Sequence, residues 1–487
     1  MNLYITSRIM GQLLFALAVA ELFPLVCAAI YGETRIVIAF VWSIAAAASA
    51  GAMLFFIGGL RKEEIFRKEA LFIVGAGWVL AGLLGALPFV ISGQMHYVDA
   101  VFETISGFTT TGASILTDVE TVPKGLLFWR SFTHWLGGMG IVVLFIAVLP
   151  TLGVGGKHLY HVEAPGPAAE GLRPKIRDTA GILWKIYLGL SIAEVLLLLL
   201  TGMPLFDALC HTFGTMATGG FSTKNASIGY YNSVSAAAGV SVTIIVTIFM
   251  FLAGANFSLY YQALKKKWLF FKDSEFKAYL GIFLAALFAI YCTLLLSGTH
   301  SNGFKAFLDS AFQTSSIMTT TGYATADFNM WPSVARAILI LLMFFGGCAG
   351  STGGGMKIVR VIILAKWAWR SIVHSFRPQS VMHIKLGKLA VDRDVEEQTV
   401  GFAIVFIAIF SLGTLFIAAF GHDLVTSYSS VIACLGNIGP GLGQVGPMVN
   451  YSFFSPIEKI FLTWCMLVGR LEVFPMLVAF APGFWKK

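Results

Sequence analysis

The chain repeats one short motif four times, and this repeat restricts its possible folds more than any other feature of the sequence. Residues 99–112 read DAVFETISGFTTTG and residues 309–322 read DSAFQTSSIMTTTG, with eight of 14 positions identical. Weaker copies occupy residues 207–219 (DALCHTFGTMATG) and 423–439 (DLVTSYSSVIACLGNIG). The final glycines, at 112, 219, 322 and 439, are 107, 103 and 117 residues apart. This period indicates four similar units of about 110 residues after an extra amino-terminal segment.

The composition indicates that these units lie in a membrane. Of 487 residues 57% are hydrophobic and 12% are charged, whereas soluble proteins carry about 25% charged residues. A helix crosses a bilayer with about 20 apolar residues, while a barrel strand needs about ten of alternating polarity. Long uncharged stretches therefore predict an all-α polytopic membrane protein and exclude an outer-membrane barrel. These stretches are residues 36–60, 71–92, 235–264, 278–297 and 400–420.

Other classes of protein are not supported by the sequence. The six cysteines form no C-x-x-C pair, so we expect neither a disulfide framework nor a zinc site. The first apolar segment continues past Glu21 without a small-residue cleavage site, so we expect a retained span instead of a signal peptide. A membrane enzyme is not predicted because the spans contain no H-E-x-x-H and no close acid pair. Alternating-access transporters usually carry inverted repeats, whereas these four copies share one direction.

The placement of the positive charges predicts the topology. With the amino terminus inside, 24 of the 33 Lys and Arg residues fall on inner segments and seven fall on outer ones. This bias follows the positive-inside rule and predicts that both termini are cytoplasmic. The net charge of +8 is therefore a topology signal, and nucleic acid is not an expected partner. The inner charges are Arg8 and those within residues 61–68, 157–177, 265–277, 357–393 and 486–487.

Each unit has the same order of segments. An apolar span precedes a polar segment of about 12 to 16 residues that is too short to cross, then a small-residue stretch ending in Gly, then a second span. The Asp that opens the short segment can cap a helix and face the positive end of its dipole. We therefore expect a half-helix that enters the membrane and a return through extended backbone.

Extended backbone at membrane depth predicts an ion site. A backbone carbonyl without a hydrogen-bond partner costs several kcal/mol in hydrocarbon, so such backbone is found only where it is buried in protein or lines a water-filled path. Four such loops around one axis would form rings of carbonyl oxygens that replace the hydration shell of a cation. The alternative is that the turns only connect packing helices. The candidate filter residues are Thr110, Thr111, Gly112, Ala217, Thr218, Gly219, Thr320, Thr321, Gly322, Asn437, Ile438 and Gly439.

The predicted organisation is thus ten spans around a single pore. Four tandem span, half-helix, span units, each similar in plan to a potassium-channel subunit, follow two leading transmembrane helices. The predicted boundaries are 1–68 for the leading pair and 69–178, 179–273, 274–395 and 396–487 for units one to four.

The loop motifs resemble those of the Trk/Ktr/HKT superfamily of cation transporters. They are TTTGAS at 109–114, ATGGFST at 217–223, TTTGY at 319–323 and NIGPGLG at 437–443. The extra leading helices are similar to the TrkH/TrkG type of membrane subunit and not to the shorter Ktr type. The resemblance implies potassium uptake across the bacterial inner membrane, with K⁺ as the bound and transported ion and no covalent cofactor. It also implies a homodimer and a cytosolic nucleotide-binding regulatory subunit of the TrkA type.

The resemblance also bears on ion selectivity. Glycine at all four filter positions is typical of the potassium-selective members, and some sodium-conducting plant relatives carry Ser at the first position. The fourth repeat departs from the Thr pattern with Asn437 and Ile438. A sodium or mixed sodium and potassium transporter of the same fold is therefore the alternative function.

The second span of unit three predicts a gate. Residues 333–377 are more than twice the length needed to cross, and residues 346–355 read GGCAGSTGGG, which disfavours a helix. We expect an intramembrane loop that blocks the pore, with a packing kink as the alternative. Arg470 lies within the last span, where a charge needs a function or a partner, so it is either a barrier to cations or part of a buried salt bridge. The candidate gate residues are Gly346, Gly347, Gly350, Gly353, Gly354, Gly355 and Arg470.

Three further sets of polar residues carry weaker predictions. His134, His211 and His422 are expected to be hydrogen-bonded residues at helix ends, and Glu21 and Glu194 to pair between helices. Eight carboxylates at the outer mouth predict a negative field that concentrates cations. They are Asp99, Glu103, Asp118, Glu120, Asp207, Asp309, Asp327 and Asp423.

Overall fold

The protein is almost entirely helical, as predicted. The computed structural model describes residues 2–59, 65–140, 176–265, 270–380, 382–387, 389–478 and 481–485. Within them, seven helical segments are long and apolar enough to cross a membrane, which confirms the all-α polytopic class. These are Leu3–Ile30, Thr34–Gly58, Lys68–Ile91, Ala180–Leu200, Ala236–Ala253, Ser274–Leu296 and Arg393–Ala418. The basic segments at residues 61–64, 151–175 and 266–269 lie outside the described part.

The two leading helices pack against each other and against unit one. Helices Leu3–Ala20 and Leu22–Ile30 lie end to end and pack on Thr34–Gly58. Glu33, at the start of Thr34–Gly58, accepts hydrogen bonds from Lys124 N at 2.7 Å and Gly125 N at 2.9 Å. It therefore satisfies two of the free N–H groups at the beginning of the second helix of unit one.

The four predicted half-helices are present and have 12, 12, 16 and 12 residues. In chain order they are Tyr97–Phe108, Leu205–Met216, Gly303–Met318 and Leu424–Leu435. The first helices of the units are Arg67–Gly85 with Leu87–Ile91, Ile176–Leu200, Ser274–Leu296 and Arg393–Ala418. The second helices are Lys124–Gly138, Ala236–Ala253, Ser333–Met343 and Pro456–Arg470. Since three of these have only 15, 11 and 15 residues, the count of ten spans stays a prediction.

The remaining elements are short connectors, apart from the helix Ile358–Phe376. Two short strands, Lys385–Leu386 and Leu389–Ala390, pair antiparallel after that helix. The other α-helices are Tyr230–Val234, Phe257–Lys265, Phe474–Leu477 and Pro482–Trp485. The 3-10 turns are Ser227–Gly229, Phe270–Lys272, Phe328–Met330 and Gly443–Val445.

The prediction that an Asp caps each half-helix is wrong for three of the four. Only Asp423 is an N-cap, and its carboxylate accepts from Thr426 N at 3.1 Å. Asp99 and Asp207 lie inside the first turn, where a carboxylate still faces the positive end of the dipole. The third half-helix begins earlier, at Gly303 after the cap Asn302, so Asp309 is its seventh residue.

The centre of the protein is formed by the half-helices, and the spans surround them. Residues 102–108 and 429–435 are buried throughout. Apolar side chains on the spans instead point outward, with Leu200 and Leu296 exposed at 83% and 90%. Outward leucines beside buried polar half-helices are expected when lipid is the surrounding solvent.

The predicted break in the second span of unit three is confirmed. Helix Ser333–Met343 ends, and a helix resumes only at Ile358. Residues 344–357, here called the glycine loop, lie between the two helices.

Candidate functional site

The chain segments that follow the four half-helices share one unusual backbone pattern. In each, a non-glycine residue has a positive φ, and the second residue after it is a glycine with a positive φ. Positive φ is uncommon outside glycine, so the repeated pair shows that the four segments are equivalent. We call them loop one (109–112), loop two (217–220), loop three (319–322) and loop four (436–439). The angles are Thr110 54° and Gly112 79°, Thr218 55° and Gly220 79°, Thr320 61° and Gly322 81°, and Asn437 54° and Gly439 93°.

This pattern corrects the predicted register of loop two by one residue. The sequence comparison equated Gly219 with Gly112, but the glycine with positive φ is Gly220. Gly219 occupies the position that Thr111 has in loop one. The signal was present in the sequence, because residues 207–220 align with residues 99–112 without a gap.

The four loops meet in a closed ring. A β-carbon added to the glycine of any loop would overlap a backbone carbonyl oxygen of the next loop. Because the contacts run from one to two, two to three, three to four and four back to one, the loops surround a common axis. The distances are 2.1 Å from Gly112 to Gly219 O, 2.0 Å from Gly220 to Thr321 O, 1.9 Å from Gly322 to Ile438 O and 2.6 Å from Gly439 to Thr111 O.

A cavity of about 140 Å³ opens on one side of the ring and is lined by all four of these glycines. Gly219 is not part of the lining, which supports the corrected register. Arg130 and Lys224 also line the cavity, whereas none of the eight outer-mouth carboxylates does. The glycine side of the ring therefore faces an open vestibule.

Four of the eight carboxylates face a basic side chain, so the predicted negative field at the outer mouth is weaker than eight free charges would make it. Asp99 pairs with Lys459 at 2.6 Å, and Asp207 lies 3.7 Å from Lys224. Glu103 pairs with Arg130, and Asp309 faces His300 at 3.2 Å. Asp118 and Glu120 accept hydrogen bonds from Asn225, and Asp327 accepts one from Asn329. Hydrogen bonds from the Thr426 side chain and amide hold the pKa of the Asp423 carboxyl below its usual range.

Loops one and three share a hydroxyl pair that loops two and four lack. Thr109 Oγ1 lies 2.8 Å from Thr111 Oγ1, and Thr319 Oγ1 lies 2.8 Å from Thr321 Oγ1. Loop two has Ala217 and Gly219 at these positions, and loop four has Gly436 and Ile438. Loops one and three are opposite each other in the ring. The backbone of the ring is therefore similar in all four loops, whereas its side chains alternate and repeat only twice.

In loop two the missing side chain is replaced by His134. The His134 ring is fully buried and stacks on Phe221 with centroids 4.1 Å apart. Phe221 N donates to its Nε2 at 3.2 Å, so Nδ1 carries the proton and donates to Gly107 O at 2.7 Å. A β-carbon at Gly219 would lie 2.5 Å from the ring. The sequence predicted a hydrogen-bonded histidine at a helix end. The hydrogen bonds are present, but His134 is the eleventh of the 15 residues of helix Lys124–Gly138, and its contact with loop two was not predicted.

In loop four, Asn437 bridges neighbouring elements. Its Nδ2 donates to Thr111 Oγ1 at 3.0 Å and to Met466 O at 2.9 Å. Tyr451 supports the same loop by donating to Gly439 O at 2.6 Å. The amide thus replaces a threonine hydroxyl while joining loop four to loop one and to the last helix.

A buried ion pair connects unit one to loop two. Arg130 Nε donates to Glu103 at 2.5 Å, and the two side chains are exposed by 4% and 0%. Arg130 also donates to Ser222 O at 3.0 Å, and its guanidinium lies 3.5 Å from the centre of the Phe221 ring. Glu103 in turn accepts from Ser114 Oγ at 2.9 Å. Arg130 is one of the seven outer Lys and Arg residues counted from the sequence, which gave it no partner.

The glycine loop folds back on itself at its base. Phe345 and Met356 form a parallel bridge, and Gly346 N donates to Met356 O at 2.8 Å. Ile358 N donates to Gly347 O at 3.2 Å. These bonds bring the two ends of the loop together. The two loop residues that reach the ring, Gly353 and Gly354, are here called its tip.

The tip of the glycine loop touches loops three and four on the side away from the vestibule glycines. Gly354 N donates to Thr320 Oγ1 at 2.7 Å. A β-carbon at Gly353 would lie 3.1 Å from Thr319 O, and one at Gly354 would lie 2.7 Å from Gly436 O. Of the predicted gate glycines, Gly353 and Gly354 therefore lie against the ring, and this close approach explains why neither has a side chain. Gly347 and Gly350 instead lie against Gly254 and Asn256 of unit two.

Unit two holds the flank of the glycine loop. Cys348 N donates to Gly254 O at 2.8 Å, and Phe257 N donates to Gly350 O at 3.0 Å. Both contacts lie where helix Ala236–Ala253 ends and helix Phe257–Lys265 begins. A displacement of the loop would therefore break contacts with this helix junction.

Arg470 fastens the glycine loop to unit one. Its guanidinium donates to Thr352 O at 2.6 Å, to Gly137 O at 2.5 Å and to Gly138 O at 2.8 Å. Gly137 and Gly138 are the last residues of helix Lys124–Gly138. A cation at a helix carboxyl end is favourable because the free carbonyls carry partial negative charge.

Two further charged residues, both missed by sequence analysis, hold the glycine loop. Lys357 is buried and its Nζ donates to Gly353 O. Glu275 accepts from Ala349 N at 2.8 Å and from Val359 N at 3.0 Å. The loop is therefore held by charge-assisted hydrogen bonds, which are stronger than neutral ones.

The structure also shows the partners of three acidic residues near or within the spans. Glu472, two residues after Arg470, pairs with Arg360, whose guanidinium lies 4.1 Å from the centre of the Phe402 ring. Glu21 and Glu194 are fully buried, and each faces a hydroxyl on a neighbouring helix, Ser43 for Glu21 and Thr215 for Glu194. The predicted pairing between helices is therefore found as side-chain contacts with hydroxyls and not as ion pairs among the described residues.

Comparison with known proteins gives consistent matches over the whole chain. The family model TrkH, cation transport protein, matches residues 35–487. The chain is 37% identical to the Trk system potassium uptake protein TrkH of Halomonas elongata over 100% of both chains. It is 38% identical to TrkH of Escherichia coli (strain K12) over 99% of each chain. The crystal structure of the potassium transporter TrkH from Vibrio parahaemolyticus matches with a TM-score of 0.89 and 36% identity, over 100% of both chains.

Proposed function

Because the chain belongs to the TrkH family of cation transport proteins, we propose that it takes up potassium ions through the ring of four loops. The observation that carries this proposal is the closed ring, in which each glycine lies against a backbone carbonyl of the next loop. Carbonyl oxygens around one axis can replace the hydration shell of K⁺. The names of its relatives, which are potassium uptake proteins, support the choice of ion.

The proposed path begins in the vestibule cavity and passes the loop ring. There the ion meets carbonyls of loops one to four, with Gly112, Gly220, Gly322 and Gly439 on the vestibule side. A membrane potential of 100 mV supplies about 2.3 kcal/mol for each charge that crosses. Inward movement of K⁺ therefore requires no covalent chemistry, in keeping with a family of cation transport proteins.

We propose that the glycine loop and Arg470 close this path. The loop tip lies against loops three and four, on the side of the ring that an ion would reach next. Arg470 adds a fixed positive charge at the loop through its bond to Thr352 O. A cation leaving the ring would meet both a steric block and electrostatic repulsion, so conduction requires the loop to move.

We also propose the membrane location, the topology and the partners of the transporter. It lies in the bacterial inner membrane as a multi-pass protein with both termini in the cytoplasm. It assembles as a homodimer and binds a nucleotide-binding regulatory subunit of the TrkA type at the basic inner surface around helix Ile358–Phe376. These assignments rest on the charge bias of the sequence and on the resemblance of the loop motifs.

A sodium or mixed sodium and potassium transporter is the second candidate. It is favoured by loop four, where Asn437 and Ile438 replace the two threonines of loops one and three. The glycines with positive φ are nevertheless present in all four loops, which supports potassium.

The test is ion flux into liposomes that contain the purified chain, with K⁺, Rb⁺, Na⁺ and Li⁺ compared at equal driving force. We expect K⁺ and Rb⁺ to pass faster than Na⁺ and Li⁺, and Gly112→Ser to reduce this preference. If the wild type passes none of these ions even with its regulator, transport is rejected. If Gly112→Ser keeps the wild-type preference, the ring is not the selectivity filter.

A further inference from the structure

One hydrogen bond joins the glycine loop directly to the loop ring. Gly354 N donates to the hydroxyl of Thr320, at 2.7 Å, and Thr320 is the residue of loop three with positive φ. Both Thr319 and Thr320 are fully buried, so the bond lies inside the protein. When the glycine loop is closed, the Thr320 hydroxyl oxygen of the ring therefore accepts a hydrogen bond from it.

The equivalent oxygens in two other loops have no such partner. Thr110 and Asn437 occupy the same position in loops one and four and are fully buried. Within the described part of the chain, Thr110 Oγ1 and Asn437 Oδ1 take part in no hydrogen bond. A buried polar atom without a partner is costly, so these two oxygens are suited to a ligand that supplies positive charge. At the fourth position Thr218 Oγ1 donates to Ala217 O at 2.6 Å, which leaves the lone pairs of the hydroxyl for the same ligand.

We propose that the positions of Thr110, Thr218, Thr320 and Asn437 form the last cation site of the ring, and that the Gly354 amide competes with the ion for Thr320. This inference rests on the proposed function and adds a coupling to it. The amide presents its positive hydrogen to the oxygen that the cation would use. A K⁺ ion at this site is repelled by the closed loop, and the closed loop is weakened by the ion.

The coupling works in both directions. If K⁺ at the ring lowers the stability of the closed loop, then opening the loop raises the affinity of the ring for K⁺ by the same factor. The gate therefore responds to the ion that it controls. One net hydrogen bond corresponds to about a fivefold shift in the equilibrium between closed and open loop.

Amide hydrogen exchange of the unmodified chain tests this coupling. The protein is placed in lipid nanodiscs, and exchange is measured on peptides covering residues 344–357 in K⁺ and in choline at equal ionic strength. We expect the glycine loop to exchange about fivefold faster in K⁺. In Thr320→Val the loop should exchange fast in both salts, whereas Thr320→Ser, which keeps the hydroxyl, should behave like the wild type.

Thr110→Val is the matched control, because it removes a hydroxyl at the same position of a loop that the Gly354 amide does not touch. Because it leaves the bond between Gly354 N and Thr320 intact, Thr110→Val should keep the slow exchange of the wild type in choline, whereas its acceleration should need a higher K⁺ concentration. The inference is overturned if the wild-type loop exchanges equally in K⁺ and choline while flux is intact, or if Thr110→Val exchanges fast in choline as Thr320→Val does. Absence of any flux would instead reject the proposed function, so the two failures are distinguishable.

Discussion

Alanine substitutions at the two adjacent glycines of loop two should have different consequences, because the two residues meet different neighbours. At Gly219 the backbone does not have a positive φ, and an added β-carbon meets the side chain of His134 at 2.5 Å. At Gly220 the φ angle is 79°, and the β-carbon meets the backbone oxygen of Thr321 at 2.0 Å. Only the first overlap can be relieved by removing a side chain.

The expected magnitudes follow from these contacts. Gly219→Ala overpacks a buried site and should cost about 1–3 kcal/mol of unfolding free energy. Gly220→Ala adds the left-handed backbone penalty, roughly 1–2 kcal/mol, so its total is about 2–5 kcal/mol. His134→Ala alone leaves Phe221 N and Gly107 O without their partner, at about 1–3 kcal/mol each.

A double-mutant cycle separates the two cases. In a chain that already carries His134→Ala, Gly219→Ala should cause almost no further loss of unfolding free energy. The double variant should therefore be about 1–3 kcal/mol more stable than the sum of the two single losses predicts. Gly220→Ala should gain no comparable rescue from His134→Ala, because its overlap is with the backbone of Thr321. The assay is unfolding in mixed micelles followed by tryptophan fluorescence, with the Rb⁺ to Na⁺ flux ratio as a second measurement. Rescue of Gly220→Ala in place of Gly219→Ala would refute the register derived for loop two.

Three further predictions concern the glycine loop and its supports. Arg470→Ala should raise Rb⁺ flux without a regulator, because the barrier and the bond to Thr352 O are lost; unchanged conductance rejects the barrier role. Glu103→Gln leaves the buried Arg130 charge uncompensated and should cost about 3–5 kcal/mol of unfolding free energy, whereas Glu103→Leu with Arg130→Met should recover most of it; equal losses would contradict this. Glu275→Ala removes the acceptor of two buried amides, about 1–3 kcal/mol each, and should speed hydrogen exchange of residues 344–357, while Glu275→Gln should do so less.

The features predicted from sequence are those that local composition determines. Long apolar stretches, the four half-helices and the break before Ile358 follow from hydropathy and from a run of glycines, and all are present. The resemblance to the Trk superfamily is confirmed by a family match over residues 35–487. The assignment of filter and gate roles to individual residues stays a prediction, because it depends on where an ion binds.

The features that sequence analysis missed depend on contacts between distant parts of the chain. In A-T-G-G the ungapped alignment of residues 207–220 with 99–112 favours Gly220, whereas the T-G pair, which matches Thr111 and Gly112, favours Gly219. The choice is made by His134, which lies 87 residues before its partner Phe221 in the chain. The partner of Arg130 was missed for the same reason, because Glu103 lies on a different helix.

The twofold pattern of side chains explains why the four loops are supported by different residues. In a ring of four identical chains, every loop would carry the same hydroxyl pair as Thr109 and Thr111. Here loop two lacks that pair, and the space is filled by His134 from the second helix of unit one. Loop four uses the amide of Asn437, which also bonds Met466 O of the last helix. Because the four units are fused into one chain, each loop can be held by different side chains. A substitution at one of these side chains should therefore disturb the loop that it contacts without directly altering the loop opposite.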